Sequence, residues 1–175
     1  GGDRLSLRPE GTAPLMRAYV QNGMASWPQP VKLYYAGSFY RHESPQALRF
    51  REFRQVGVEA IGGDDSINDA LIIRTLVSSL QTVGIKEITV NVNTLGDKAC
   101  RPGYLKELVN YYKKHAEKIC RDCRRRVKEN PLRLLDCKVE ACAALIDNAP
   151  QMVDHLCDEC KKHFSETIEF LDEMQ

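Results

Sequence analysis

The chain has 175 residues, 43% of them hydrophobic and 28% charged, and a formal net charge of +1. That length supports one or two small cored domains, and the balanced charge leaves only local basic patches as pointers to a nucleic acid. No apolar run approaches the roughly 20 residues that span a bilayer, and no signal peptide opens the chain, so a cytoplasmic protein without a membrane partner is expected. Gly1-Gly2-Asp3-Arg4 is not an initiator sequence and reads as the middle of something longer.

Thr12 precedes an apolar stretch with Pro14 in its first turn and Gly23 at its close. These mark a short helix with Thr12 as the capping hydroxyl. Lys32 to Glu43 is rich in Tyr and Phe and reads as a strand. A loop begins at Ser44-Pro45-Gln46, and Phe50 to Ile61 reads as a second strand, antiparallel to the first across a long connection. A helix starting at Asp64 or Ser66 runs to about Gly84. Lys86 to Asn93 alternates Ile88, Val90 and Val92 with polar residues, the pattern of a half-buried strand. The remainder reads as helices over about 102–128, 138–148 and 150–173, broken at Pro131 and Pro150. Composition shifts at Asn93-Thr94-Leu95-Gly96, from aromatics and glycines to Lys, Glu, Leu and Cys. The fold class is therefore α+β: an antiparallel sheet with flanking helices over residues 1–96, then a helical domain over 97–175.

In a strand, alternate side chains share a face. One face of the second strand carries Arg51, Phe53, Gln55, Gly57 and Glu59, an odd set for a core. Gly57 is expected to leave a void above the sheet for a ligand. Phe39, Arg41 and Glu43 share a face of the first strand. Charges of both signs around a void suit a small-molecule site, although charge pairs across a solvated sheet face are ordinary too.

The residue strings decide between these. Phe39-Tyr40-Arg41-His42-Glu43, a loop, then Arg49-Phe50-Arg51-Glu52-Phe53-Arg54-Gln55 resembles motif 2 of the class II aminoacyl-tRNA synthetases. Leu7-Arg8-Pro9-Glu10-Gly11-Thr12-Ala13 resembles the amino-acid loop of the histidyl-tRNA synthetases, and Gln55 to Gly62 resembles their next strand. Asn130-Pro131-Leu132-Arg133-Leu134-Leu135-Asp136-Cys137-Lys138 resembles a signature of the bacterial insertion domain. The resemblance covers essentially the whole chain. It implies a partial class II catalytic core plus an α-helical insertion domain lying over the tRNA acceptor stem.

The activity implied is ATP-dependent activation of histidine to the adenylate, then transfer to tRNA(His), with Mg2+ accompanying ATP. Arg41 matches the catalytic guanidinium that bridges the histidine carboxylate and the α-phosphate, where negative charge develops. Glu43 matches the acceptor of the adenine amino group, and Phe53 the ring that stacks on adenine. Arg51 matches a contact to the outer phosphates, with Arg49 lining the same loop. Glu10, Thr12 and Gln55 match acceptors for the histidine ammonium, and Glu59 matches the partner of the imidazole. Polar groups at both ends reject amino acids that would leave them unpaired.

Leu48 stands where the family usually has Gly before the loop arginine, and Ser44 where it usually has a basic residue. Both bear on tRNA contact more than on adenylate chemistry. Motif 1, which builds the family's dimer interface, and motif 3 are not found. The full-length form is expected to be a homodimer, and the isolated 175 residues to be inactive. Other readings are a synthetase-like regulatory subunit of ATP phosphoribosyltransferase and a zinc-stabilised RNA-binding module.

All seven cysteines lie after residue 97. Cys120-x-x-Cys123 and Cys157-x-x-Cys160 form two CxxC pairs, with Cys137 and Cys142 between them. In a reduced compartment this spacing offers Cys120, Cys123, Cys157 and Cys160 as structural zinc ligands. Cysteines three apart on a helix can instead be small core residues. Lys113, Lys114, His115, Lys118, Arg121, Arg124, Arg125, Arg126 and Lys128 form a local basic cluster, diluted by Glu117, Asp122 and Glu129. It is either a solvated helix face or a surface that tracks tRNA phosphates.

Overall fold

The computed structural model describes residues 2, 5–43, 47 and 49–174. Ser44 and Leu48, the two departures in the loop, lie outside them. The chain divides into two compact units, Gly1–Lys86 with Phe170–Gln175, and Glu87–Glu169.

In the first unit α1 spans Thr12–Gln21, a 3-10 turn follows at Met24–Ser26, and β1 (Val31–Tyr40) pairs with β2 (Glu52–Ile61) before α2 (Ser66–Thr82). The strands run antiparallel with Leu33 opposite Glu59, Tyr35 opposite Gly57, Gly37 opposite Gln55 and Phe39 opposite Phe53. The expected hairpin is present, and its odd-numbered residues all face one side. That face is the better covered one, since Val31 and Phe39 are buried, while on the other face Tyr34 and Val56 are exposed. Gly23 and Gly84 take positive φ values of 62° and 94° just past α1 and α2, as helix stops that only glycine adopts cheaply. Thr12 does not cap α1. Gly11 is the N-cap residue, and the Glu10 carboxylate accepts from the Thr12 and Ala13 amides at 2.6 and 3.0 Å. An ionised carboxylate is the stronger acceptor for those orphan donors.

The second unit holds α3 (Arg101–Lys114), α4 (Arg121–Glu129), the four-residue α5 (Glu140–Ala143) and four-residue 3-10 turns at Pro131–Leu134 and Met152–His155. The helix α6 (Asp158–Glu173) closes the chain. Tyr104, Leu108, Tyr112, Cys123, Leu134 and Cys142 are the most deeply buried side chains. Four expectations fail here. The helix expected over 138–148 is only the four-residue α5 followed by a 3-10 turn at Ile146–Asn148. Residues 86–93 form no strand, because no described strand lies beside them to complete a ladder; alternation alone cannot supply the partner. The helix expected over 102–128 is two helices. Its buried positions, Tyr104, Leu108 and Tyr112 and then Ile119, Cys123 and Val127, are one heptad apart and read as continuous. Yet Cys120 is extended at φ −65°, ψ 165° and caps α4 with its sulfur. The last helix starts at Asp158 rather than 150, because Leu156 is extended after the 3-10 turn and buries its side chain in the core.

Candidate functional site

The residues singled out on β1 and β2 gather on the odd face of the hairpin, beneath the segment that leads into α1. The Thr12 hydroxyl donates to Glu59 Oε1 at 2.7 Å, which ties that segment to the far end of β2. Glu10, beside it, is engaged with backbone amides as described. The Arg41 Nε donates to the Pro9 carbonyl at 3.0 Å, tying the same segment to the near end. Arg8 spans the middle: its Nε donates to the Ser38 carbonyl at 2.9 Å, and its guanidinium lies 4.8 Å from the Phe39 ring centre.

Gly57 does not leave a void. The Tyr35 ring fills the space, so that a Cβ on Gly57 would overlap its Cζ, Oη and Cε1 atoms, and a Cβ on Gly11 would overlap its other edge. One aromatic ring is thus seated between two glycines, one on β2 and one at the start of α1. That sandwich sets the height of the Glu10–Thr12 segment above the sheet. Sequence reasoning saw the glycine but assigned its space to a ligand. The cross-strand partner, one residue of an aromatic-rich strand, was the available signal.

Gln55 lies between Phe53 and Glu59 on this face. Its Oε1 is buried with no hydrogen-bond partner among the described residues. A buried carbonyl oxygen left without a donor is uncommon and costs about 1–3 kcal/mol, so this atom marks a place where a donor is wanted. At the end of the hairpin where the connection joins the two strands, the Arg41 guanidinium lies over the Phe53 ring, 4.8 Å from its centre. Phe39 and Phe53 are 6.2 Å apart. Arg49 Nη1 stands 3.7 Å from Glu43 Oε2, and Arg51 Nε donates to the Glu43 carbonyl at 3.3 Å. Arg41, Glu43, Arg49 and Arg51 were expected on or beside the strands but lie on the connection between Tyr40 and Glu52, and with Phe53 they gather at that end of the hairpin. Glu10, Thr12 and Glu59 share the other, with Gln55 between.

The structure does not bring the two CxxC pairs together. Cys120 and Cys123 meet Cys137 and Cys142, whereas Cys157 and Cys160 meet Asp97 and Cys100. Hydrogen bonds from the Cys100 and Ala99 amides and the Cys100 thiol hold the Asp97 carboxyl down at about 2. A bond from the Cys123 amide brings the Cys120 thiol down to about 7. Burial pushes Cys123 and Cys142 up.

The basic residues between α3 and α4 are mostly exposed, Lys113, Lys114, Lys118, Arg121, Arg124, Arg125 and Lys128 among them. Arg125 sits 3.6 Å from Asp122 and 3.5 Å from Glu129, so part of this charge is already paired along α4.

The family model described as histidyl-tRNA synthetase matches residues 1–100. The chain belongs to the histidyl-tRNA synthetase family. Among curated relatives, a histidine–tRNA ligase of Dehalococcoides mccartyi is 47% identical over 171 residues, 98% of this chain and 41% of the relative. One from Acetivibrio thermocellus is 48% identical over 164 residues, 94% of this chain and 39% of the relative. The chain thus spans about two fifths of the length of the relatives it matches. The crystal structure of apo S. aureus histidyl-tRNA synthetase superposes with a TM-score of 0.73 at 34% identity, over 99% of this chain and 40% of that one. An ATP phosphoribosyltransferase regulatory subunit/histidyl-tRNA synthetase from Bacillus halodurans shares the fold, with a TM-score of 0.57 at 21% identity. Among the described residues, no helix is long and apolar enough to cross a membrane.

Proposed function

We propose that this chain carries half of the amino-acid activation site of a histidine–tRNA ligase, which uses ATP with Mg2+ to activate histidine and transfers it to tRNA(His). The observation that carries the reading is the buried, unpartnered Oε1 of Gln55, set between an acidic end and a cationic end of one sheet face in a chain of this family. An amino acid brings what that atom lacks, an ammonium donor.

Histidine's ammonium is placed against Gln55, Thr12 and Glu10. Glu10 already accepts two amides, but a carboxylate has further lone pairs to offer. Its imidazole is placed against Glu59, which Thr12 holds in position. ATP lies toward the cationic end. Phe53 offers its ring to adenine and Glu43 its carboxylate to the adenine amino group. Arg49 and Arg51 face the outer phosphates, where Mg2+ would also share the charge. Arg41 is the catalytic residue. It exchanges its stacking contact with Phe53 for the histidine carboxylate and the α-phosphate, where a planar fork suits two oxyanions. The exposed basic residues of α3 and α4 are proposed to meet the acceptor stem, in a helical domain beginning near residue 97. In its full-length form the protein is proposed to be a homodimer of the cytoplasm; seven cysteines without disulfides suit a reducing compartment.

Calorimetric titration of histidine, with and without ATP, tests the pocket. Binding is expected to weaken about tenfold to a hundredfold in Glu59→Gln, the cost of one charge-assisted hydrogen bond at about 1.5–3 kcal/mol. It should be unchanged in Glu52→Gln, on the opposite face. Equal losses in both variants, or no loss in Glu59→Gln, would show that the odd face is not a histidine pocket.

A further inference from the structure

We propose that the second unit holds two separate structural zinc ions, one on Cys120, Cys123, Cys137 and Cys142 and the other on Asp97, Cys100, Cys157 and Cys160. The inference does not depend on the ligase reading, because it concerns a different unit and different residues.

Separation of the donor atoms is the first support. Zinc at about 2.3 Å from four tetrahedral thiolates puts neighbouring sulfurs about 3.8 Å apart. The Cys120 and Cys137 sulfurs are 4.0 Å apart and those of Cys100 and Cys160 are 3.9 Å apart. Within each group all four donor atoms lie within 4.8 Å of one another. Cysteines acting only as small apolar fillers would have no reason to turn four donor atoms to a point, and here it happens twice.

The groups around the sulfurs are the second support. Backbone amides point at them: Cys120 N to Cys142 Sγ at 3.2 Å, Cys123 N to Cys120 Sγ at 3.4 Å and Asp97 N to Cys100 Sγ at 3.2 Å. Such bonds favour the thiolate that a metal requires. The x-x pairs sit at helix starts: Cys100 is the residue before α3, Cys120 caps α4 with its sulfur and Cys157 directly precedes α6. Asp97 is oriented in the same way. Its Oδ1 is held by the Ala99 and Cys100 amides at 2.8 and 2.9 Å, leaving Oδ2 toward Cys157 Sγ at 3.8 Å. Beside the first group, the Tyr112 hydroxyl is buried without a partner among the described residues. A metal-held thiolate supplies the acceptor that a neutral thiol supplies poorly.

The third support is the architecture. The unit's core includes Cys100, Cys123, Cys137 and Cys142, and much of its chain is short 3-10 turns and bends. Small units with thin cores gain stability from a structural metal. The first site staples the start of α4 to the turns around α5. The second joins segments 60 residues apart in sequence, the start of α3 and the start of α6. Soft thiolate donors in a tetrahedral arrangement select zinc over the hard cations.

The 175-residue chain, purified without chelator, is expected to hold two zinc ions per molecule by elemental mass spectrometry, with one lost in Cys142→Ala and one in Cys160→Ala. Because either variant could misfold, the unaltered chain stripped of metal is also titrated with cobalt(II). Two equivalents should bind with the visible bands of tetrahedral cobalt. Their near-ultraviolet thiolate bands should differ by about a quarter, for three thiolates against four. Fewer than two equivalents at saturation, octahedral spectra, or cysteines that alkylate equally fast with and without zinc would overturn the proposal.

Discussion

Replacing Gly57 with alanine tests whether the Tyr35 ring, rather than a ligand, owns the space above it. The new Cβ would stand inside the ring, more than about an ångström short of normal carbon contact. The ring cannot simply slide aside, because its opposite edge is against Gly11. Overpacking of this kind costs about 1–3 kcal/mol. Without the ring the sign should reverse, since alanine in a strand interior is favoured over glycine by about 0.5–1 kcal/mol. Gly57→Ala should therefore destabilise the chain, yet be neutral or stabilising on a Tyr35→Ala background, with a coupling of about 1.5–4 kcal/mol.

Urea unfolding followed by the fluorescence of Trp27 is the suitable assay. It is the chain's one tryptophan, and it lies in the same compact unit. At about 1–3 kcal/mol per molar urea, the midpoint should fall by roughly 1 M. A midpoint that rises in Gly57→Ala, or falls equally with and without the Tyr35 ring, would refute the reasoning and return the space to a ligand.

Three further outcomes are expected. Glu10→Ala should cost about 0.5–2 kcal/mol through the lost cap of α1, read as faster hydrogen exchange at the Thr12 and Ala13 amides, with Glu10→Gln recovering part of the loss. Leu108→Ala, at a fully buried position of α3, should cost about 2–5 kcal/mol, measured as the drop in the thermal midpoint of the helical circular-dichroism signal. Burial raises the Tyr104 phenol above its ordinary value of 10.0. The unfolded chain therefore gives up that proton at a lower pH than the folded one does. The associated stability is complete below about pH 10 and is lost as pH climbs through the folded value. A urea midpoint that falls between pH 9 and pH 11, and falls less in Tyr104→Phe, would show it.

Much of the first unit was legible because its signals are local. Strand alternation fixed which residues of β1 and β2 share a face, and the glycine stops closed α1 and α2. What escaped depends on partners. Thr12 looks like a cap to any sequence rule, but Glu10 stands two residues before it with a full charge to offer, and the hydroxyl was released to Glu59. The alternation of 86–93 is real, yet a strand is a relation between two segments. The break after α3 carries neither Gly nor Pro, and the buried positions on either side of it stay in phase.

The cysteines show the same limit most sharply. Four cysteines in two x-x pairs allow several groupings, and spacing favoured joining the pairs to each other, since zinc ligands come in such pairs. Three things overrule that in the fold. Asp97 stands three residues before Cys100, with the same spacing but one turn ahead of α3, and because it is not a cysteine a search for CxxC passes over it. Cys137 and Cys142 are too far apart to look like a pair, until the turn of α5 brings their sulfurs to the same point. The start of α4 and the start of α6 each close against a different stretch of chain. A helix start is where a sulfur finds amide donors, so the position of the helix starts, rather than the spacing of the cysteines, decides which thiols meet.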